Sequence, residues 1–179
     1  MLKKLLLLSV LVLAFSVAGI FAQKEEASCG IDGWVTDKDP KGLNVRNQPN
    51  ANGKVVAKLP HKSNEDDDIV TVYITGYSNG WVKIARAETI GGGKLFDDIG
   101  WISAKMVETG TKGGEDGYDK PAPLYVSAKT SSKKVGMIPS DSTVKISGFS
   151  CGWIKVAYKG KTGWMRTLNI CGNPVTTCS

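Results

Sequence analysis

Val72-Tyr-Ile74-Thr-Gly76-Tyr77-Ser78-Asn-Gly80-Trp81-Val82-Lys83-Ile84-Ala85 and Val144-Lys-Ile146-Ser-Gly148-Phe149-Ser150-Cys-Gly152-Trp153-Ile154-Lys155-Val156-Ala157 align without a gap. In each, apolar residues alternate with polar ones on both sides of a pair ending in glycine. That is the pattern of two half-buried strands joined by a tight turn. The same blocks flank both hairpins. Upstream, Gly42-Leu43-Asn44-Val45-Arg46 through Leu59-Pro60 aligns with Pro123-Leu124-Tyr125-Val126-Ser127 through Ile138-Pro139, if the second copy is two residues shorter in its turn. Downstream, Ile99-Gly100-Trp101-Ile102-Ser103 aligns with Thr162-Gly163-Trp164-Met165-Arg166. Three ordered blocks found twice indicate a duplicated unit. Beyond residue 22 no helical stripe longer than about two turns is present. The expected fold is therefore all-β, with short strands closing into two small barrels in tandem.

Residues 1–22 begin with Lys3 and Lys4, continue as a leucine-rich apolar run and end on small residues, the layout of a secretory signal peptide. The run is short for a span of roughly 20 residues, and only Lys24 follows, beside Glu25 and Glu26, so no membrane span is expected once the signal is removed. Cleavage after Ala22 and cleavage after Ala18 both fit, and neither site offers a cysteine for lipid attachment. Removing residues 1–22 leaves 157 of the 179 residues. They divide into a domain at 28–108, a linker at 109–117 rich in glycine and charge, and a domain at 118–179.

Domains this small gain little from one core and are commonly stapled. Cys29, Cys151, Cys171 and Cys178 are an even set in an exported chain, which favours disulfides over metal ligands. Three pairings are open. The tight Gly172-Asn173-Pro174 segment suits a small loop closed by Cys171 and Cys178, which leaves Cys29 and Cys151 to bridge the halves. No Cys-x-x-Cys pair exists and the one histidine, His61, is distant, so neither a metal nor another cofactor is expected. The net charge of +6 is scattered, and two of its lysines leave with the signal. Such a balance suits solubility or an anionic partner, and the lack of a basic stripe interleaved with aromatics argues against nucleic acid. The first copy carries two longer loops. Glu65 to Asp68 form an acidic run that reads as a solvated loop, and Ala87 to Asp98, with Gly91, Gly92 and Gly93, reads as a flexible hairpin tip.

Leu43-Asn44-Val45-Arg46 with Pro49, then Ser78-Asn79-Gly80-Trp81-Val82-Lys83-Ile84, then Gly100-Trp101-Ile102-Ser103 resemble the bacterial SH3-like (SH3b) domain. The second copy resembles it from Gly152-Trp153 to Gly163-Trp164 and departs where Tyr125 and Ser127 replace Asn and Arg. The resemblance implies a non-catalytic binding module, secreted or periplasmic, that holds cell-wall peptidoglycan or a peptide. The alternative is a protein-interaction adaptor or accessory subunit of another envelope protein. An enzyme is not expected, because one histidine cannot complete catalytic sets in two domains.

By the same resemblance Trp81 and Trp153 stand at the edge of a ligand groove, the other reading being an indole packed over its own barrel. Trp101 and Trp164 read as core. Asn44, Arg46, Tyr77, Tyr125 and Phe149 complete the groove candidates, and Trp34 and Tyr158 extend a possible aromatic platform. Arg46 suits either a bidentate pair with a peptide carboxylate or a brace on its neighbouring loop. Because the first copy keeps the Arg and adds the loops, it is expected to carry the principal ligand contacts.

Overall fold

The computed structural model describes residues 29–61, 69–114 and 120–176. The signal segment, the acidic run Glu65–Asp68 and Cys178 lie outside the described residues. The first half supplies β1 (Ile31–Val35), β2 (Leu43–Arg46), β3 (Val55–Leu59), β4 (Val70–Ser78), β5 (Trp81–Thr89), β6 (Lys94–Phe96), β7 (Gly100–Ser103) and β8 (Val107–Thr111). The second supplies β9 (Ala122–Tyr125), β10 (Lys134–Ile138), β11 (Thr143–Ser150), β12 (Trp153–Tyr158), β13 (Lys161–Arg166) and β14 (Ile170–Cys171). The all-β expectation holds. The strands form one antiparallel sheet in the order β10-β9-β13-β12-β11-β8-β1-β4-β5-β7-β2-β3, with β14 on β8 and β6 on β5. No helix among the described residues is long and apolar enough to cross a membrane.

Alternation places the core as the sequence predicts. Val45, Leu59, Ile74, Ile84 and Ile102 in the first half, and Leu124, Ile138, Ile154, Val156 and Met165 in the second, are at most 1% exposed and belong to one contiguous cluster. Each such side chain contributes roughly 1.5–3 kcal/mol relative to an exposed one. The β4–β5 and β12–β13 hairpins turn through left-handed pairs, Asn79–Gly80 (φ 48° and 84°) and Lys159–Gly160 (φ 44° and 78°). Turns of this hand match the right-handed twist of the strands they join.

Two sequence expectations are corrected by the register. Leu43 lies opposite Leu59 and Val45 opposite Ala57, as Ala122 lies opposite Ile138 and Leu124 opposite Gly136, with a bulge at the same place in both ladders. The halves therefore correspond without the two-residue gap, because buried pairing rather than residue identity sets register. The second correction concerns the long tip Ala87–Asp98. Phe96 pairs with Ala87 in β6, and Leu95 and Phe96 pack against the core, so the tip is folded back rather than loose.

Of the linker expected at 109–117, the first residues are the C-terminal part of β8, and 115–117 lie outside the described residues. Trp34 pairs with Glu108 and Val35 with Val107 on one edge, while Thr109 pairs with Val144, and Cys171 with Gly110, in the other half. Thr109, Gly110 and Thr111 stand to β11 and β14 as Gly33, Trp34 and Val35 stand to β4 and β8. One strand thus ends the first set of strands and begins the second. Its polar composition misled because both threonine side chains are fully buried yet bonded. Thr109 Oγ1 donates to the Asp32 carbonyl at 2.8 Å. Thr111 Oγ1 donates to the Pro139 carbonyl at 2.7 Å and accepts the Ser142 N–H at 3.1 Å. Gly110 is a close approach: a methyl there meets the Cys171 carbonyl at 2.9 Å and the Trp34 ring at 3.6 Å.

A disulfide reinforces this junction. Cys29, just before β1, bonds Cys151 in the β11–β12 turn, with Cα atoms 4.4 Å apart across a sequence separation of 122. Cys171 is disulfide-bonded as well, and its expected partner Cys178 is outside the described residues.

Thr111→Val leaves the Ser142 N–H without its acceptor and should cost about 1–3 kcal/mol in urea unfolding. The parent chain should unfold in one transition, the same by tryptophan fluorescence and circular dichroism; two separated transitions would mean that β8 does not couple the halves. Replacing Cys29 and Cys151 together by Ser should lower stability by ~2–5 kcal/mol, the range for a native bridge in a small secreted domain, and no change would show that β8 alone suffices.

Candidate binding clefts

Residues opposite one another in an antiparallel pair share a face. Trp81 lies opposite Ser103, Lys83 opposite Trp101, and Trp101 opposite Arg46, so these form one outward row. The second half repeats it with Trp153 opposite Arg166, Lys155 opposite Trp164, and Trp164 opposite Tyr125. Both Trp81 and Trp153 are half-buried, which leaves part of each indole accessible. Trp101 and Trp164, expected in the core, are half-buried on this outer face, because Ile102 and Met165 take the inward positions beside them.

The aromatic platform is not assembled. Tyr77 lies opposite buried Val82 and Phe149 opposite buried Ile154, and both rings pack against the core on the face away from the tryptophans. Trp34 is 7% exposed and rests beside Gly110 at the junction. Tyr158 is occupied elsewhere, accepting a hydrogen bond from Ser142 at 3.3 Å with the Lys159 ammonium 5.1 Å from its ring centre.

The first cleft, about 300 Å³, brings together Asn44, Arg46 and Trp81 with Asp37, Asp39 and Ser103. Its wall is held by local bonds. Asp37 Oδ1 accepts the Asp39 N–H at 3.1 Å, and Asp39 Oδ1 accepts the Lys41 N–H at 2.9 Å. Gly42 closes that loop at φ 76°, where a methyl would come 2.3 Å from the Leu59 carbonyl. Arg46 Nη1 donates to the Gly53 carbonyl at 2.7 Å, the brace foreseen as one of its two roles.

The second cleft, about 390 Å³, brings Trp153 together with Lys129, Thr130, Ser131, Cys151 and Arg166. Tyr125 packs edge-on against Trp153, with ring centres 5.6 Å apart at 84°, which holds the indole in place. The Arg166 guanidinium lies 6.0 Å from the Trp153 ring centre, within cation–π reach. Alignment of the sequences put Ser127 in the place of Arg46. The register instead gives that place to Tyr125: Arg46 lies opposite Val55 and Trp101, and Tyr125 opposite Lys134 and Trp164. Arg166 takes the place of Ser103, each opposite the cleft tryptophan. The second half has therefore kept a guanidinium beside its tryptophan, supplied by the neighbouring strand. Arg166, Lys129 and Asp37 were missed from the sequence, although Arg166 was visible as the partner of Ser103 in the third repeated block.

Because Arg46 braces the β2–β3 turn, Arg46→Ala should lower stability by about 1–2 kcal/mol in urea unfolding before any ligand is added. An unchanged unfolding midpoint would free Arg46 for ligand contact alone.

Residues 121–170 match the family model of the bacterial SH3 domain. No curated protein matches the chain. Among solved structures the chain is similar to NlpC1 from Trichomonas vaginalis (19% identity, TM-score 0.32) over 79% of this chain and 45% of that one. It is similar to NlpC2 from the same organism (20% identity, TM-score 0.32) over 79% and 48%. A third, an NlpC/P60 family protein from Bacillus cereus (11% identity, TM-score 0.26), is matched over 78% and 55%. The chain spans about half the length of these three structures. Its second half, from β9 to the start of β14, carries a bacterial SH3 domain.

Proposed function

We propose that the chain is a non-catalytic binding protein of the cell envelope, built from two SH3-like units that share β8, and that it holds cell-wall peptidoglycan through its tryptophan clefts. The observation that carries this reading is the pair of clefts at equivalent places, each with a part-exposed indole beside a guanidinium. A flat apolar face next to a planar donor suits the mixed sugar and peptide surface of such a polymer. Two sites held in one rigid sheet raise avidity beyond either alone.

The bacterial SH3 domain and the Cys29–Cys151 disulfide fit an extracytoplasmic protein. The binding reading is supported by the state of the thiols: Cys29, Cys151 and Cys171 are disulfide-bonded and supply no nucleophile. The adaptor alternative drew on the acidic run, outside the described residues, and on the long hairpin, whose Leu95 and Phe96 are turned onto the core.

Sedimentation with purified insoluble peptidoglycan tests the proposal. The protein should pellet with the wall. Trp81→Ala and Trp153→Ala should each weaken binding by on the order of 1–3 kcal/mol, with circular dichroism unchanged. A parent protein that stays in the supernatant even at low salt would end this reading.

A further inference from the structure

The two clefts share a tryptophan and a guanidinium but differ in charge. The first is lined by two carboxylates, Asp37 and Asp39, against one cation, Arg46. The second is lined by two cations, Lys129 and Arg166, and by no carboxylate among the described residues. An anionic group is repelled from the first and drawn to the second. From this contrast we infer that the Trp153 cleft is a carboxylate site that takes the terminal carboxylate of a short peptide, its body lying against the indole. The inference rests on the binding reading above and assigns the chemistry of one of its two clefts.

Four features favour a carboxylate. The guanidinium is kept beside the cleft by its position over the Trp153 ring, and its planar fork matches two carboxylate oxygens. Tyr125 packs edge-on against the indole, so little side-chain freedom is lost when a ligand lies on it. Lys129, Thr130 and Ser131 stand on the turn between β9 and β10, whose backbone is closed by the Lys129 N–H on the Ser127 carbonyl at 2.7 Å and the Ser132 N–H on the Lys129 carbonyl at 3.1 Å. The opposite wall is the β11–β12 turn, pinned to the other half through Cys151. The two cations line one shallow cleft rather than a track along the sheet, which fits the end of a ligand better than the repeated charges of a polyanion.

The exchange of side chains between strands explains how the difference arose. Tyr125 in the place of Arg46 removes the contact that ties the first guanidinium to its own turn, and Arg166 in the place of Ser103 puts a guanidinium directly opposite the tryptophan. Arg166 stands opposite the cleft tryptophan itself, whereas Arg46 stands opposite Trp101. The second half, not the loop-rich first, then carries the recognition of an anion.

The test is a titration of isotope-labelled protein followed by NMR at the indole N–H resonances, with N-acetyl-trialanine bearing a free carboxylate and with its C-terminal amide. The free acid should shift Trp153 and leave Trp81 unmoved, and the amide should bind about tenfold or more weakly. Arg166→Gln should remove that preference, and Lys129→Gln, on an exposed turn, should weaken it without touching the sheet. Equal binding of acid and amide, or a shift at Trp81 instead, would overturn the assignment. So would inorganic phosphate binding more tightly than the acid, which would point to a phosphate polymer. Sedimentation on whole peptidoglycan separates the two claims. Wall binding without any preference for the acid sinks the carboxylate site alone, whereas a preference without wall binding sinks the envelope reading and leaves the site.

Discussion

Everything in this fold depends on β8 being paired on both edges. A strand of five residues offers its N-terminal part to β1, its C-terminal part to β14 and most of its length to β11. Because Thr109 and Thr111 are fully buried, their hydroxyls must find partners inside the protein, and those partners are backbone groups of both halves. Melting either half strips β8 of the partners that half supplies. The chain is consequently one continuous sheet in which two strand sets meet at β8.

That constraint sets the clefts. Each lies at a place fixed by three neighbouring strands and by the turn that follows a buried ladder, so neither can shift relative to its own core without breaking register. The Cys29–Cys151 bridge acts on the same problem from outside, by tying the turn that precedes Trp153 to the strand that starts the first half. Cleft and structural staple therefore share Cys151 in the second half. In the first half the corresponding turn, Asn79–Gly80, has no such tie and relies on its left-handed geometry.

The outward row shows how one framework carries two chemistries. On both sides the inward residues are interchangeable aliphatics, Ile102 for Met165 and Val82 for Ile154, since the core asks only for volume and apolarity. Outward positions are free of that demand, and there the halves diverge: Arg46 against Tyr125, Ser103 against Arg166. One half ends with a guanidinium bonded to its own turn beside two carboxylates, the other with a guanidinium over an indole beside a lysine. A difference of charge between equivalent clefts needs no change in the sheet.

The sequence by itself determined the fold class and the inward face. Alternation at Val72 and Ile74, or at Ile154 and Val156, is imposed by the period of a strand, and every one of these residues is buried. The resemblance carried by Leu43-Asn44-Val45-Arg46 and Gly80-Trp81 also brought Asn44, Arg46 and Trp81 to notice as groove candidates, and one cleft is lined by all three. Only the tertiary structure decided the rest. Thr109-Gly110-Thr111 looks like a linker until a strand from each half flanks it, since a hydroxyl is as much at home in water as in a bond to a buried carbonyl. Tyr77 and Phe149 look like ligand aromatics until pairing with Val82 and Ile154 turns them inward. The place of Arg46 passes to Tyr125 rather than Ser127 because register follows buried volume, which residue identity along one chain does not report. Local periodicity gives each strand its faces, but which strand lies beside it, and which side chain thereby meets Trp153, is settled by contacts between residues far apart in sequence.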